Sequence, residues 1–221
     1  MPPRSWQSFR AMLTLDRRTV LGMAVAAPFA AVGGISHALI PDAGRKLAAA
    51  AREQVGVTVD YDPSYRNIGY PNGDVMRTSG VCSDVLIRAA RDAFDIDLQR
   101  QVHEDMVKAF SAYPSRREWG LSKPDANIDH RRVLNLETFL TRQRASLPLP
   151  APRPFSGDGF ESPQPGDVLT WRLSGGRPHL GVVVDGPQHV RVAHNIGEGV
   201  REEPLWMFKL HKPAGHYRWR V

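Results

Sequence analysis

Cys82 is the only cysteine in this 221-residue chain, and two histidines, His179 and His194, stand close together in its second half. A thiolate is a strong nucleophile, and an imidazole beside it can take its proton and later return it. A thiol is favoured as thiolate when it opens a helix, because the unpaired N–H groups and the positive end of the helix dipole stabilise negative charge. Cys82 meets that condition: along residues 83–94 the apolar residues Val85, Leu86, Ala89, Ala90, Ala93 and Phe94 recur at helical spacing, and Cys82 lies on the same inward stripe. The bland alternative is a buried, inert cysteine acting as a small hydrophobe. One cysteine also excludes an internal disulfide and any metal site built from two or more thiolates.

The two histidines belong to a region of period-two patterning. Residues 167–173, 178–184, 188–194 and 216–221 read as strands, with Ser174-Gly175-Gly176-Arg177 and Asp185-Gly186-Pro187 as turns. A loop of two or four residues around Gly186-Pro187 opposes His179 to His194, whereas an odd loop brings Asn195 opposite instead. Cross-strand neighbours on one face have Cβ atoms about 5 Å apart, so the pair can act together. A catalytic zinc held by Cys82, His179 and His194 plus water is chemically conceivable and ranks third among the readings.

Ahead of the strands the chain reads as helical. Asp42 caps a helix from 43 to about 54, an ordered loop rich in Tyr, Pro and Gly runs over 57–80, and the Cys82 helix follows. Helical patterns over 98–110 and 133–144 are separated by a loop at 111–132, and a Pro-rich connection covers 148–165. Helices first and an antiparallel sheet last make an α+β chain.

Composition narrows the partners. The net charge is +6, but four arginines against one aspartate before residue 39 hold half of it, and no long Lys/Arg run follows. Nucleic acid is therefore not an expected partner. Residues 1–18 are basic, 19–35 carry no charge, and Ser36-His37-Ala38 supplies a small-residue cleavage site, which is the layout of an export signal. Arg17-Arg18 resembles the twin-arginine variety. The expectation is a signal over 1–38 and a single domain over 39–221 working in the periplasm, with membrane attachment only if the signal stays uncleaved.

The succession Tyr61, then Cys82-Ser83-Asp84 opening a helix, then Pro165-Gly166-Asp167-Val168, His179-Leu180-Gly181-Val182 and Val192-Ala193-His194 resembles the NlpC-type papain-like cell-wall hydrolases. Within them, Gly80-Val81-Cys82-Ser83-Asp84-Val85, Val102-His103-Glu104-Asp105-Met106, Asn127-Ile128-Asp129-His130-Arg131-Arg132 and His194-Asn195-Ile196-Gly197 resemble a bacterial family, domain of unknown function 1287. The resemblance implies a papain-like α+β fold, with a helical insertion over about 98–147 and the cysteine helix packed on the C-terminal sheet. It implies Cys82 as nucleophile, His179 as base and His194 as the residue orienting it, cleaving amide bonds of peptidoglycan or its peptides without metal or cofactor. A thiol acyltransferase, or a wall-binding module that kept the scaffold, are the rival readings.

Further candidates surround this set. The first helical turn, with Ser83 and Asp84, offers oxyanion donors, although Asp84 also suits the helix dipole. Tyr61 is an oxyanion or substrate contact, or an ordinary packed aromatic. Asp129, His130 and Arg131 either grip a substrate carboxylate or cap the helix near Val133.

Overall fold

A computed structural model describes residues 36–149, 159–185 and 189–220. Residues 1–38, expected to form an export signal, lie outside these residues except for the last three. So do residues 150–158 of the Pro-rich stretch and the turn residues Gly186 and Pro187.

The described chain is α+β. Helices α1 (Ser36–Arg52), α2 (Cys82–Phe94), α3 (Leu98–Ala109), α4 (Ser115–Trp119) and α5 (Val133–Arg142) precede most of the strands. Strands β1 (Asp60–Tyr61) and β2 (Ser79–Gly80) form a small parallel pair. The main sheet is antiparallel throughout, with β3 (Ser146–Leu147), β4 (Val168–Arg172), β5 (Pro178–Asp185), β6 (Arg191–Asn195), β7 (Val200–Pro204) and β8 (Lys212–Tyr217) in the order β3-β8-β4-β5-β6-β7. Strands β4 to β7 follow one another as a meander, but β8 returns across the sheet to pair with β4. Among the described residues no helix is long and apolar enough to cross a membrane.

The α2 boundaries agree with the pattern that predicts them, and the loop over 57–80 holds only the two-residue strands. Other expectations differ: β6 begins at Arg191 rather than 188, and the stretch 111–132, expected as a loop, contains α4. Helix α1 begins at Ser36, so Asp42 is not its cap but sits inside it, paired with Lys46 one turn on. The last strand runs Lys212–Tyr217 rather than 216–221. Strand β7 has the sequence Val-Arg-Glu-Glu-Pro, which carries no apolar alternation, and nothing in the periodicity announces it.

Strand β5 is buried on both faces, and its alternation divides the core into two layers. Leu180, Val182 and Val184 face α1 and α2 and join Cys82, Val85, Leu86 and Ala193 in the larger cluster. Val183 joins Leu169, Trp171, Val192, Leu205 and Phe208 in a second cluster on the opposite face. A 3₁₀ turn, Leu205–Phe208, covers that second layer.

Two features hold α2 and α1 in place. Arg88, 1% exposed, donates to Asp74, to the Thr58 hydroxyl and to the Ser79 carbonyl, tying the helix to the loop over 57–80. Gly44 of α1 and Gly166 touch almost backbone to backbone: a Cβ added at Gly44 would come within 2.4 Å of the Pro165 oxygen. Asp167, next in that turn, accepts from His216 Nε2, Arg218 Nε and the Gln164 N–H at 2.8 Å each. The Pro-Gly-Asp segment is thus a clasp between the start of β4 and the end of β8.

Candidate active site

Cys82 is the first residue of α2 and is 5% exposed. The helix start is fixed by reciprocal bonds: the Val81 N–H donates to Asp84 Oδ2 at 2.7 Å, and the Asp84 N–H donates to the Val81 carbonyl at 3.1 Å. The backbone N–H groups of Leu180, Ser83 and Cys82 itself face the sulfur. Leu180 is available because the pairing of β5 with β6 ends at Val182↔Ala193. Beyond that point Asn195 Nδ2 donates instead to the carbonyls of Asp60 and Gly80, both at 3.1 Å. The N-terminus of α2 is therefore received where the two strands part.

His179 and His194 do meet, with Nε2 of the first 3.2 Å from Nδ1 of the second. They are not directly opposed, however. Val182 pairs with Ala193 and Val183 with Val192, two residues away from the register that opposes the histidines, and an irregularity follows between Val183 and Asp185. The histidines are diagonal neighbours on one face, which long rings can still bridge. Gly181 makes room between them, since a Cβ there would lie 2.3 Å from Val192 Cγ1 and 3.3 Å from His194 Cβ.

Both rings are walled by aromatic residues. Phe208 lies nearly parallel to His179, with centroids 6.1 Å apart, and edge-on to His194 at 4.9 Å. Trp171 lies 6.1 Å from His179. Burial in this setting pushes His179 down to about 3, so its imidazole is neutral at neutral pH. His194 is also lowered, by burial, with Glu203 working against that shift. His194 Nε2 lies 3.1 Å from Glu203 Oε2, and His179 Nδ1 makes no hydrogen bond and keeps contact with solvent.

The thiol departs from the sequence expectation. Burial outweighs the N–H groups at the helix start and pushes Cys82 up to about 11, whereas the helix dipole alone predicts a lowered value. No hydrogen bond joins Cys82 to His179; the thiol touches the backbone of the next residue, Leu180. The resting pair is thiol and neutral imidazole. In the substrate-free protein, the rate of Cys82 alkylation is accordingly expected to climb about tenfold per pH unit between about pH 7 and 10. A rate that is flat across neutral pH, measured by intact mass after iodoacetamide quenching, would show a lowered thiol instead.

In front of Cys82 opens a cleft of about 540 Å³, lined among others by Tyr61, Tyr65, Trp119, Arg132 and Pro178. Tyr61 is 40% exposed on its rim, and burial, then the nearby thiol, raise its phenol, which stays protonated and able to donate. The Arg132 guanidinium lies 4.0 Å over the Trp119 ring and also bonds Asp129. Arg177 acts electrostatically on both Tyr61 and His179, linking the cleft to the imidazoles.

The remaining candidates serve the framework. The Ser83 hydroxyl is fully buried and donates to the Arg131 carbonyl at 2.6 Å, so only its backbone N–H is directed to the thiol. The Asp84 N–H is engaged by Val81, and its carboxylate is bridged by Arg131 through two bonds of 3.0 and 2.9 Å. Asn195 braces β1 and β2 rather than orienting His179, a role that the hydrogen bond gives to His194. Asp129 accepts from the Asp125 N–H and from Asn135, His130 is 2% exposed, and Arg131 is held by Asp84. These three are therefore not free to grip a substrate carboxylate; they brace the approach to α5. Among the described residues no group of three His, Cys, Asp or Glu is disposed to hold a metal ion.

Sequence reasoning missed Glu203, because the strand carrying it has no apolar pattern, and missed Trp119 and Tyr65, which reach the cleft only through tertiary folding. A signal for Glu203 does exist: in Glu202-Glu203, alternation must send one carboxylate to each face. Glu202 is taken by Arg52 and Arg191, leaving Glu203 to His194.

The described domain is α+β, with a cysteine at a helix start and a hydrogen-bonded histidine pair. The domain of unknown function DUF1287 matches residues 48–219, and the chain belongs to that family. It is similar to the uncharacterized protein YijF of Escherichia coli (strain K12), with 47% identity over 178 residues that cover 79% of this chain and 81% of the relative.

Proposed function

We propose that this protein is an exported, papain-like cysteine hydrolase that cleaves amide bonds of peptidoglycan or its peptides. The observation that carries the reading is that Cys82 opens α2 at the edge of a cleft and contacts the strand that carries His179. The Cys82 sulfur opens α2 among backbone N–H groups, His179 immediately precedes the Leu180 that touches it, and the cleft admits a substrate. The hydrogen-bonded order His179–His194 matches the base and orienting roles that the NlpC-type resemblance implies. The basic and uncharged N-terminal segments support export.

Chemically, the resting neutral pair calls for general-base catalysis rather than a standing ion pair. As the sulfur–carbon bond forms, the thiol proton passes to His179 Nδ1 and the carbonyl electron pair moves onto oxygen. The N–H groups at the helix start and the Tyr61 hydroxyl are the donors for that oxyanion. The leaving amine then takes the proton from Nδ1, and water, activated by the same nitrogen, releases the acyl group.

A non-catalytic wall-binding module is the second reading, favoured by the absent Cys82–His179 hydrogen bond and the raised thiol. Incubation with purified sacculi followed by mass spectrometry of soluble muropeptides separates the two. The hydrolase releases new fragments and Cys82→Ala releases none; a binding module sediments with sacculi and releases nothing in either form. Fragments released equally by wild type and Cys82→Ala would sink the cysteine mechanism.

A further inference from the structure

We infer that Glu203 sets the direction of the proton chain through both imidazoles, acting as a positioning residue. The inference rests on His179 being the base of the proposed hydrolase. The argument runs inward from the carboxylate. An ionised carboxylate only accepts hydrogen bonds, so at 3.1 Å from Glu203 Oε2 the His194 Nε2 must carry the proton. A neutral imidazole holds one proton, which leaves His194 Nδ1 an acceptor. His179 Nε2, 3.2 Å away, must then be the donor, and His179 Nδ1 is left unprotonated. That nitrogen makes no hydrogen bond within the protein, so its lone pair is free to accept a proton.

Arg177 and His211 act electrostatically on His179, and Arg201 on His194, but none of them hydrogen-bonds either ring. Phe208 packs against both rings and Trp171 against His179, and the Trp171 Nε1–H is buried without a hydrogen-bond partner. Arg201, opposite His194 on β7, is paired with Glu198, and the adjacent Glu202 is held by Arg52 and Arg191. Val192 is the cross-strand partner of Glu203, so the carboxylate reaches His194 diagonally, as His194 reaches His179. When His179 takes the Cys82 proton, the new positive charge is shared along a chain that ends on the carboxylate.

The test reads tautomers rather than turnover. In the full chain labelled with ¹⁵N-histidine, long-range proton–nitrogen spectra distinguish Nδ1–H from Nε2–H rings, assigned with His179→Gln and His194→Gln. The wild type is expected to show both rings as Nε2–H. Glu203→Gln keeps an acceptor and should leave both unchanged. Glu203→Lys offers only donors, so His194 should move its proton to Nδ1 and His179 should follow, with loss of muropeptide release. Glu203 is partly exposed on the edge strand, which makes either substitution tolerable for folding. Retention of Nε2–H at both rings in Glu203→Lys, or an Nδ1–H ring in the wild type, overturns the inference. Because no substrate is involved, a negative sacculus assay with the expected tautomers would reject the hydrolase and leave the proton chain standing.

Discussion

Acidification from about pH 7 to about pH 4 is expected to remove most of the folding stability, on the order of 3 kcal/mol for each of two buried histidines. Burial lowers His179 to about 3 and His130 to about 4, and His194 moves in the same direction. In the unfolded chain these rings titrate near the ordinary histidine value of about 6.5. Below that value the unfolded state binds protons that the folded state refuses, so stability is fully present above it and is lost as pH falls toward the folded values. Asp105 and Asp167, lowered in the fold, act in the same sense at the acidic end, while Asp129, raised by burial, opposes them. A total stability of about 5–15 kcal/mol leaves little reserve against such a loss. Urea unfolding followed by far-UV circular dichroism at pH 7.5, 5.5 and 4 measures it. The midpoint should fall at each step, and His130→Leu, which removes one titrating ring, should make the fall shallower. Equal midpoints at pH 7.5 and 4 would contradict the burial of neutral imidazoles.

The histidines also show where sequence reading stops. That Cys82 opens a helix is legible because apolar spacing is a local signal, repeated over thirteen residues of α2. That His179 and His194 can share a face is legible from an even loop, but they do so here because the irregularity between Val183 and Asp185 offsets the odd closure at Asp185↔Arg191. Their diagonal offset is not legible, because it depends on an irregularity at Val183 and Asp185 and on a turn whose length the pattern leaves open. The direction of the thiol shift is not legible either: the helix dipole is local, whereas the burial that outweighs it comes from Leu180 and Val182 of β5, about a hundred residues along the chain. Glu203 is hidden for a third reason, that an edge strand can be charged without losing its pairing.

Arg131→Met is expected to cost about 3–5 kcal/mol and to abolish whatever chemistry Cys82 performs. The Arg131 and Asp84 side chains are only 3% and 4% exposed, and two hydrogen bonds join them. Pairing in a dry site offsets the desolvation of both ions, so removing one leaves the other buried and uncompensated. The surviving Asp84 carboxylate would keep only the Val81 N–H at 2.7 Å, and hydration of that carboxylate would pull at the turn that begins with Cys82. Arg131 also donates to the Asp62 and Ser64 carbonyls, so its loss loosens the segment next to Tyr61 on the cleft rim. A double-mutant cycle separates pair from partner. Asp84→Asn alone should also destabilise, but combined with Arg131→Met it should recover a large part of the loss, since no unpaired charge remains. Additive losses in urea would mean that the two side chains act independently, and the bridge would then not be what holds the start of the cysteine helix.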